Sequence, residues 1–561
     1  MQKFPLPVRR ILERLAATMD SGSSHITKTV RWAILTAAAL FFLFGVSLLP
    51  YAGLQNDECL FVQPFYGPAA RPDMINVFHR DVPVMLMSYL GTAKTLLYWP
   101  VLHLWQPTVW SIRLPALITG TATIWMFGLL LYRLGGSFAA IAGSFLLALD
   151  PSYLLTSVFD WGPVALQHFL LVGSALALVH FHKSGAKTAL GAAFLALGLG
   201  MWDKALFSWM LAGLVVASLI FLLPEIRRRL TAGNVLVAAV AFLVGSAPLV
   251  IYNVRNNLGT FRGNTKLSAA EIWPKVRAMP GTLNGSGLFG YLIREEGDGS
   301  PLAPRGLVER IPAAVRGAVG ERRKGWLPQA LVLVALLVPL WWTRWRVMGF
   351  AFVTALVATL LMTATTGAGG SVHHVVLLWP VPQFLVALGL ATVVAKRAAW
   401  LSWAACGVVA VVCVTNVLVV NQYLYNVQRV GPGASWTDAI FPLEQSLEKL
   451  HPEHVNLMDW GYESNVMALS GGKLEVHWGA EAGERETPNE SDERLLQIFL
   501  ERAPASVWVR RLEPIEVVPG TEKRFTARAL ERGYEKVPLE LVEDRNGRKV
   551  FEIYRFVKVK P

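Results

Sequence analysis

The sequence contains little charge, few acidic residues and almost no cysteine. Only 16% of its 561 residues are charged, compared with about 25% in an average soluble domain, while 53% are apolar and the mean hydropathy is +0.42. This composition excludes an ordinary soluble enzyme and a disordered chain. Three cysteines cannot frame a disulfide scaffold. The remaining class is a polytopic membrane protein with a soluble part attached.

The net charge of +13 is distributed unevenly along the chain. From Tyr425 onward there are 19 basic and 23 acidic residues, so 33 basic but only 16 acidic residues precede Tyr425. Basic residues in cytoplasmic loops account for most of the excess in the membrane part, and much of the rest lies in residues 253–325, so no nucleic-acid partner is required. The shortage of carboxylates leaves few candidates for chemistry.

Apolar runs of about the length of a bilayer crossing predict about eleven transmembrane helices. They lie at 32–50, 114–132, 137–156, 163–182, 188–201, 205–223, 234–252, 327–342, 347–365, 374–394 and 400–421. A further apolar stretch, Val84–Trp105, contains Lys94 and Pro100, which are costly in a lipid-exposed span. If this stretch lies as a helix on the outer membrane face, nearly all basic residues of the short loops become cytoplasmic. The positive-inside rule therefore favours that interpretation.

This topology places the N-terminus in the cytoplasm and divides the chain into three parts. Residues 1–31 form a cytoplasmic segment in which Val8–Met19 is predicted as an interfacial helix. Residues 32–424 form the transmembrane domain, with large external loops at 51–113 and 253–325. Residues 425–561 form a small external, periplasmic α/β domain. The fold class is thus an all-α polytopic membrane protein with a C-terminal α/β domain outside the membrane.

Local patterns predict the elements of the C-terminal domain. Asn546-Gly547 between two apolar runs is a strong hairpin signal. The predicted strands are Val455–Trp460, Leu474–Trp478, Ser506–Leu512, Leu539–Val542 and Val550–Phe556, and the predicted helices are Glu463–Leu469, Asp492–Ala503 and Thr526–Gly533.

Several ionisable residues fall at one depth on the external face of the membrane. Asp57 and Glu58 follow the first span, Asp160 lies in a short loop, and Asp203 and Lys204 form a turn. An ionisable group near the bilayer is a functional candidate by default. Structural alternatives exist for each: a solvated helix cap for the first pair, an N-cap for Asp160, and an interfacial turn pair for the last two.

The order of motifs resembles a known family. It comprises Asp57-Glu58, Val82-Pro83-Val84, Arg113-Leu114-Pro115, Asp160, Asp203-Lys204 and Pro248-Leu249-Val250-Ile251-Tyr252-Asn253. Over about residues 32–425 the chain resembles the GT-C glycosyltransferases. The similarity is greatest to the family 39 group of protein O-mannosyltransferases and lipid A aminoarabinose transferases. Two departures stand out: His79-Arg80-Asp81-Val82-Pro83 replaces a basic-Pro-Pro stretch, and Ser157-Val158-Phe159-Asp160 lacks the arginine that often precedes the aspartate.

The resemblance implies a sugar donor carried on a polyprenyl phosphate, an acceptor hydroxyl on a glycan, glycolipid or protein, and inversion at the anomeric carbon. Asp57 is the predicted general base, because a hydroxyl needs a proton acceptor to become a good nucleophile. Glu58 is expected to orient Asp57 or to contact substrate. Asp160 is expected to hold sugar hydroxyls or the acceptor. A bacterial inner membrane is the expected location.

The remaining candidates concern the phosphate, the sugar and a metal. A departing phosphate needs positive charge, and the external basic candidates are Lys204, Arg80, Arg255, His373 and His374. The histidines open a helix, which favours an anion, although they can equally serve as caps. The candidate sugar contacts are Asp203, Trp161 and Trp202, with an interfacial aromatic belt as the alternative for the tryptophans. The cofactor is unknown: Asp57 and Asp160 can share a divalent ion, but no dense ligand motif is present.

Two other functions stay open from the sequence. One is a transporter or flippase of lipid-linked sugars, although matching broken spans indicative of inverted repeats are not evident. The other is a non-catalytic relative whose C-terminal domain binds a partner.

Overall fold

The computed structural model describes residues 26–66, 73–295, 301–337, 344–396 and 398–559. Val8–Met19, predicted as an interfacial helix, lies outside these residues. Seven described helices have the length and hydropathy of membrane spans: Lys28–Tyr51, Val109–Ala148, Val164–Ser184, Ala232–Arg255, Trp345–Ala364, Val372–Val394 and Ala399–Arg429. A further candidate is bent by 91° between Ala205–Phe221 and Leu223–Arg229. The protein is therefore a multi-pass membrane protein, as its composition predicted.

The other predicted spans also coincide with helices. Val109–Ala148 covers two of them, and its helical dihedrals are interrupted at Gly136, where φ is +80°. Glycine adopts this conformation without steric cost, so the sequence permits a break between two helices there. Pro151–Val158 completes the second of these spans. The helix Lys187–Asp203 covers the predicted span 188–201, and Leu327–Leu336 covers the first part of the predicted span 327–342, of which residues 338–342 lie outside the described part of the chain.

Glycines let two of these helices approach closely. A Cβ at Gly198 would lie 2.3 Å from the carbonyl oxygen of Phe242, and one at Gly245 would lie 2.5 Å from that of Leu195. Small residues at helix contacts are the usual means of close packing within a membrane. This contact fixes the helix Lys187–Asp203, which carries Asp203 at its end.

The segment that follows the first span combines a short helix, a sheet and a second helix. Gln55 caps the helix Asn56–Leu60 through a capping box with Glu58. Strands β1 (Asp73–Val77), β2 (Arg80–Met87) and β3 (Leu90–Gly91) then form an antiparallel sheet in the order β1-β2-β3, followed by the helix Ala93–Leu102. The prediction of one helix over Val84–Trp105 was therefore wrong in its first half. Strand β2 pairs with β1 and β3 through two-residue turns at Phe78-His79 and Ser88-Tyr89, and neither turn carries the Asn-Gly or Asp-Gly pattern that marks a hairpin in a sequence.

The loop at 253–325 contains further helices, and the C-terminal domain is built on a five-stranded sheet. The loop helices are Gly259–Asn264, Ile272–Leu283 and Gly306–Val319. The strands of the domain are β4 (His454–Leu457), β5 (Val476–Trp478), β6 (Ser506–Arg511), β7 (Tyr534–Glu543) and β8 (Lys549–Lys558), in the order β5-β4-β6-β8-β7. Its helices are Ile440–Leu450, Glu463–Leu469, Glu490–Glu501 and Thr521–Glu531.

The sheet of this domain is mixed. Strand β4 runs parallel to β5 and β6, whereas β8 is antiparallel to β6 and β7. The predicted hairpin at Asn546-Gly547 joins β7 to β8, with Gly547 at a φ of +75°. The α/β character expected of this part is confirmed.

Candidate active site

Five charged side chains from four separate segments meet at one end of the membrane helices. We call Asp57, Lys94, Asp160, Asp203 and Lys204 the charged cluster. All except Asp57 are at most 3% exposed, and Asp57 is partly exposed. Taking charges out of water is costly unless they are paired, so such a group is held by specific contacts.

Lys94 joins three of these segments. Its Nζ lies 3.0 Å from Asp160 Oδ2 and donates to the Asp160 carbonyl oxygen at 2.6 Å. Its backbone N–H donates to Asp203 Oδ1 at 3.2 Å, and its Nζ lies 4.5 Å from the centre of the Phe61 ring. A residue that would be costly in a lipid-exposed span thus serves as the buried cation that links the two aspartates.

Asp160 and Asp203 are each tied to a neighbouring helix. Asp160 Oδ1 accepts from the backbone N–H of Val164, the first residue of the helix Val164–Ser184, at 2.8 Å, and so satisfies a free N–H at that helix end, although Pro163 holds the N-cap position. Asp203 Oδ2 accepts from Gln167 Nε2 at 3.1 Å. Both carboxylates therefore have structural partners, and the capping alternative for Asp160 coexists with its place in the cluster.

Lys204 is the cation of the cluster that has no close carboxylate. Within the described part of the chain, no carboxylate oxygen lies within 4.0 Å of its Nζ, although Asp160, Asp203 and Asp57 all act on it at longer range. Burial lowers the pKa of Lys204 to about 8, against the effect of these three carboxylates. A Cβ at Gly162 would lie 3.1 Å from Lys204 Nζ and 3.2 Å from His373 Cδ2. The glycine therefore leaves room for both groups, and the ammonium is available to an incoming anion.

Asp57 is the cluster carboxylate with the most accessible side chain. Its Oδ1 accepts from Asn56 Nδ2 at 3.2 Å, and its backbone N–H is capped by Gln55 Oε1 at 2.5 Å. Burial raises the pKa of Asp57, opposed by the Asn56 hydrogen bond and the charge of Lys204. A carboxylate with a raised pKa is a stronger base, so the environment suits proton abstraction.

Both carboxylate oxygens of Glu58 accept hydrogen bonds from buried side chains. Arg113 Nε and Nη2 donate to its two oxygens at 2.7 and 2.9 Å, and Trp436 Nε1 donates to Oε1 at 2.9 Å. The guanidinium of Arg113 also donates to the carbonyl oxygens of Leu49, Ala52 and Gly53. This bidentate pair fixes the chain just before Asp57. The geometry gives Glu58 a positioning role.

Aromatic side chains line the side of the site next to Asp57. Trp161 Nε1 donates to His373 Nδ1 at 2.8 Å, and the Trp161 ring packs edge-on against Trp436 with a centroid distance of 5.0 Å. Tyr291 packs on the same Trp436 ring with a centroid distance of 5.2 Å. Burial and, to a smaller extent, the negative charge of Asp57 raise the pKa of Tyr291. Because Nδ1 of His373 accepts a hydrogen bond, the neutral ring carries its proton on Nε2.

The structure does not bring every sequence candidate into contact with the cluster. Arg80 and Arg255 lie exposed at the sheet formed by β1, β2 and β3, where Arg255 Nη1 donates to the Met74 carbonyl oxygen at 3.2 Å. Trp202 Nε1 donates to the Val84 carbonyl oxygen at 2.7 Å, and this ring packs under the sheet. His374 Nδ1 accepts from Gly369 N–H at 3.1 Å, as a loop-stabilising contact.

A metal shared by Asp57 and Asp160 finds little support in the geometry. Lys94 already supplies a cationic partner to Asp160. Among the described residues, one group of three His, Asp or Glu side chains has its ligand atoms close enough for one ion, and it lies in the C-terminal domain.

Comparisons with known proteins agree on the fold. A scan against protein-family models gives no match, and a search of curated proteins gives none. Among solved structures, ArnT from Cupriavidus metallidurans bound to undecaprenyl phosphate matches with a TM-score of 0.52 at 14% identity, covering 94% of this chain and 98% of ArnT. The Archaeoglobus fulgidus oligosaccharyltransferase matches with a TM-score of 0.50 at 14% identity, covering 92% of this chain and 72% of that protein. The chain therefore has the GT-C fold, as its resemblance predicted.

Sequence reasoning missed several residues that build the site. Lys94 was recognised as anomalous in an apolar stretch, and that anomaly was itself the signal of a buried partner. Arg113 stood in a recognised motif without an assigned role. Gln167, Tyr291 and Trp436 carry no distinguishing sequence signal, because only the tertiary fold brings them to Asp203, Asp57 and Glu58.

Proposed function

We propose that this protein is an integral-membrane glycosyltransferase that moves a sugar from a polyprenyl-phosphate carrier to an acceptor hydroxyl, with inversion at the anomeric carbon. The observation that carries the proposal is the juxtaposition of Asp57, a partly exposed carboxylate with a raised pKa, and Lys204, a buried ammonium without a close carboxylate. The fold that holds them resembles ArnT, which was solved with undecaprenyl phosphate bound.

In the proposed reaction, the acceptor oxygen attacks the anomeric carbon from the side opposite the phosphate. The new carbon–oxygen bond forms as the bond from the anomeric carbon to the phosphate oxygen breaks. The acceptor proton passes to Asp57, and the electron pair of the broken bond leaves with the polyprenyl phosphate. A single displacement of this kind inverts the configuration. General-base catalysis contributes about 10²–10⁴-fold to such a step.

Lys204 is the proposed partner of the leaving phosphate. The negative charge on the phosphate grows in the transition state, and a fixed ammonium in a site shielded from water stabilises that charge. His373 lies beside it with a donor at Nε2. Arg80 and Arg255 lie at the exposed sheet, so we do not expect them to contact the reacting phosphate.

The other cluster residues act in the proposal by positioning or by binding the sugar. Lys94, Asp160 and Asp203 hold three segments together through the contacts described above. Trp161 is only 4% exposed and its ring packs against Trp436 and His373, so its proposed role is to shape the sugar pocket rather than to stack on the sugar.

The test is sugar transfer in proteoliposomes that contain the full-length chain. A panel of undecaprenyl-phosphate sugars with labelled sugar is offered with glycolipid, polysaccharide and peptide acceptors. We expect transfer by the wild type and a decrease of about 10²–10⁴-fold in Asp57→Asn. The matched control is Asp81→Asn, because Asp81 is an exposed aspartate of the same external segment whose contact is with Asn76. Wild-type transfer by Asp57→Asn would refute the assignment, and movement of labelled lipid across the bilayer without transfer would favour a flippase.

We further propose that the site faces the periplasm of a bacterial inner membrane, with the N-terminus in the cytoplasm. The short loop at Leu230, between Leu223–Arg229 and Ala232–Arg255, then lies inside. In a Cys406→Ser background, which removes an exposed thiol, Leu230→Cys should resist an impermeant thiol reagent applied from outside intact cells. Labelling of this cysteine before permeabilisation would contradict the proposed orientation and indicate the opposite one.

A further inference from the structure

Two histidines and a glutamate lie together at the edge of the C-terminal sheet, apart from the charged cluster. His454 begins β4, Glu475 directly precedes β5, and His477 is the middle residue of β5. In the parallel register, Val455 pairs with Val476 and Asn456 with His477. Side chains alternate between the two faces of a sheet, so His454, Glu475 and His477 share the face opposite the two buried valines.

The polar atoms of the three side chains lie close enough together to share one metal ion. His454 Nδ1 lies 3.3 Å from His477 Nε2, and the Glu475 oxygens lie 3.4 Å from the former and 3.1 Å from the latter. A tetrahedral zinc ion with ligand bonds of about 2.0–2.1 Å has its ligand atoms about 3.3–3.4 Å apart. The two Glu475 contacts involve different oxygens, Oε2 toward His454 and Oε1 toward His477. One ligand atom from each of the three residues lies within 4.8 Å of the other two, so small rotations of these side chains would bring all three onto one ion.

We propose that His454, Glu475 and His477 bind a divalent transition-metal ion, of which Zn²⁺ is the best match. Two neutral imidazoles and one carboxylate are ligands that zinc prefers, whereas calcium and magnesium prefer oxygen. The histidine side chains are 18% and 22% exposed and that of Glu475 is 56% exposed, so the open side of the site faces water. A water molecule completes the tetrahedron.

The consequence of metal binding follows from the position of the site. It joins the two strands of a β-α-β unit, β4 and β5, whose intervening helix is Glu463–Leu469. From that helix, Ser464 N–H donates to Asn56 Oδ1 at 2.9 Å and Asn465 Nδ2 donates to the Leu54 carbonyl oxygen at 2.8 Å. The metal therefore stabilises the unit that supports the Asp57 segment, because binding to the folded state alone adds to its stability. This inference stands whether or not the proposed transferase activity holds.

The test is zinc binding to the full-length chain purified in detergent and treated with a chelator. Zn²⁺ is titrated in competition with a chromogenic chelator for the wild type, His454→Gln, His477→Ala and Glu475→Gln. The matched control is His451→Asn, because His451 is exposed, lies three residues from the site and has a φ of +47°, which asparagine tolerates. Loss of a residue that only orients a metal ligand costs about 10–100-fold in metal affinity, so loss of a histidine ligand itself should weaken one site by more than tenfold.

A second readout separates loss of a ligand from loss of folding. Co²⁺ loaded into the wild type and the His451→Asn control should give the visible absorption of a tetrahedral site, and His477→Ala should lose it. The exposed Glu475→Gln variant keeps the size of its side chain and is expected to fold as the wild type does, while binding zinc more weakly. Equal zinc affinity in the wild type and all three ligand variants would overturn the proposal and leave the triad as an ion-paired cluster only.

Discussion

The pH dependence of transfer offers a direct test of the role of Lys204. Its pKa of about 8 means that about nine-tenths of the side chains are charged at pH 7 and about one-tenth at pH 9. If the charged form binds the phosphate, kcat/KM should stay nearly constant below pH 8 and decrease about tenfold per pH unit above it. The cause is burial, which disfavours the ammonium and brings its titration into an accessible range.

The bound donor should change this profile in a defined direction. The phosphate is an anion beside Lys204, and a neighbouring negative charge raises the pKa of an ammonium. The basic limb of kcat, which reports the donor complex, should therefore lie at higher pH than the limb of kcat/KM, which reports the free enzyme. On the acidic side, the raised pKa of Asp57 should place a second limb above the usual range of an aspartate.

Substitution of Lys204 by glutamine provides the perturbation. Removal of one donor from a preorganised anion site costs about 10²–10³-fold in rate, or about 2.7–4 kcal/mol. We expect Lys204→Gln to show this loss at pH 7 and to lose the basic limb near pH 8. The exposed Lys266→Gln serves as control and should retain both the rate and the limb. The reasoning is refuted if the wild-type profile is flat from pH 7 to 9.5, or if Lys204→Gln keeps the limb.

Three further substitutions test the contacts that hold the site. Lys94→Met should destabilise the protein by about 3–5 kcal/mol, because it leaves Asp160 buried without its cation; an unchanged melting temperature in detergent would contradict this. Arg113→Lys should lower kcat while leaving a folded protein, since lysine cannot make the bidentate pair with Glu58; wild-type kcat would show that the pair does not position Asp57. Gly91→Val should impair folding, because a Cβ there would lie 1.8 Å from a carbonyl oxygen of the facing helix end; normal expression and melting would contradict it.

The sequence predicted the membrane helices well because burial in lipid imposes one simple requirement. A span needs a continuous apolar run, and each of the eleven runs coincides with helical structure within the described part of the chain. The same reasoning misassigned the first half of Val84–Trp105, because β2 and a helix on a membrane surface are both apolar and local composition does not separate them. The two-residue turn Phe78-His79 that joins β1 to β2 has positive φ at both residues, but it lacks the Asn-Gly or Asp-Gly pattern that marks such a hairpin in a sequence.

The candidate site was predictable where it depended on charge and unpredictable where it depended on shape. Asp57, Asp160, Asp203 and Lys204 were recognised because acidic residues are rare before Tyr425 and ionisable groups near lipid are costly. The role of Trp202 was not recoverable in the same way, since an indole N–H that donates to a backbone carbonyl looks the same in sequence as one that stacks on a sugar.

The helix that carries Asp57 depends on both domains. Asn56–Leu60 has five residues, too few for a helix to be stable by itself in water. The membrane domain holds it through Arg113 and Glu58, and the C-terminal domain holds it through Trp436, which donates to Glu58, and Ser464, which donates to Asn56. The two parts of the chain on either side of residue 425 therefore do not act independently, because both hold the helix that carries Asp57. Because the proposed base is held from both sides, the C-terminal domain is part of the positioning machinery of the site, even though no residue of the charged cluster comes from it.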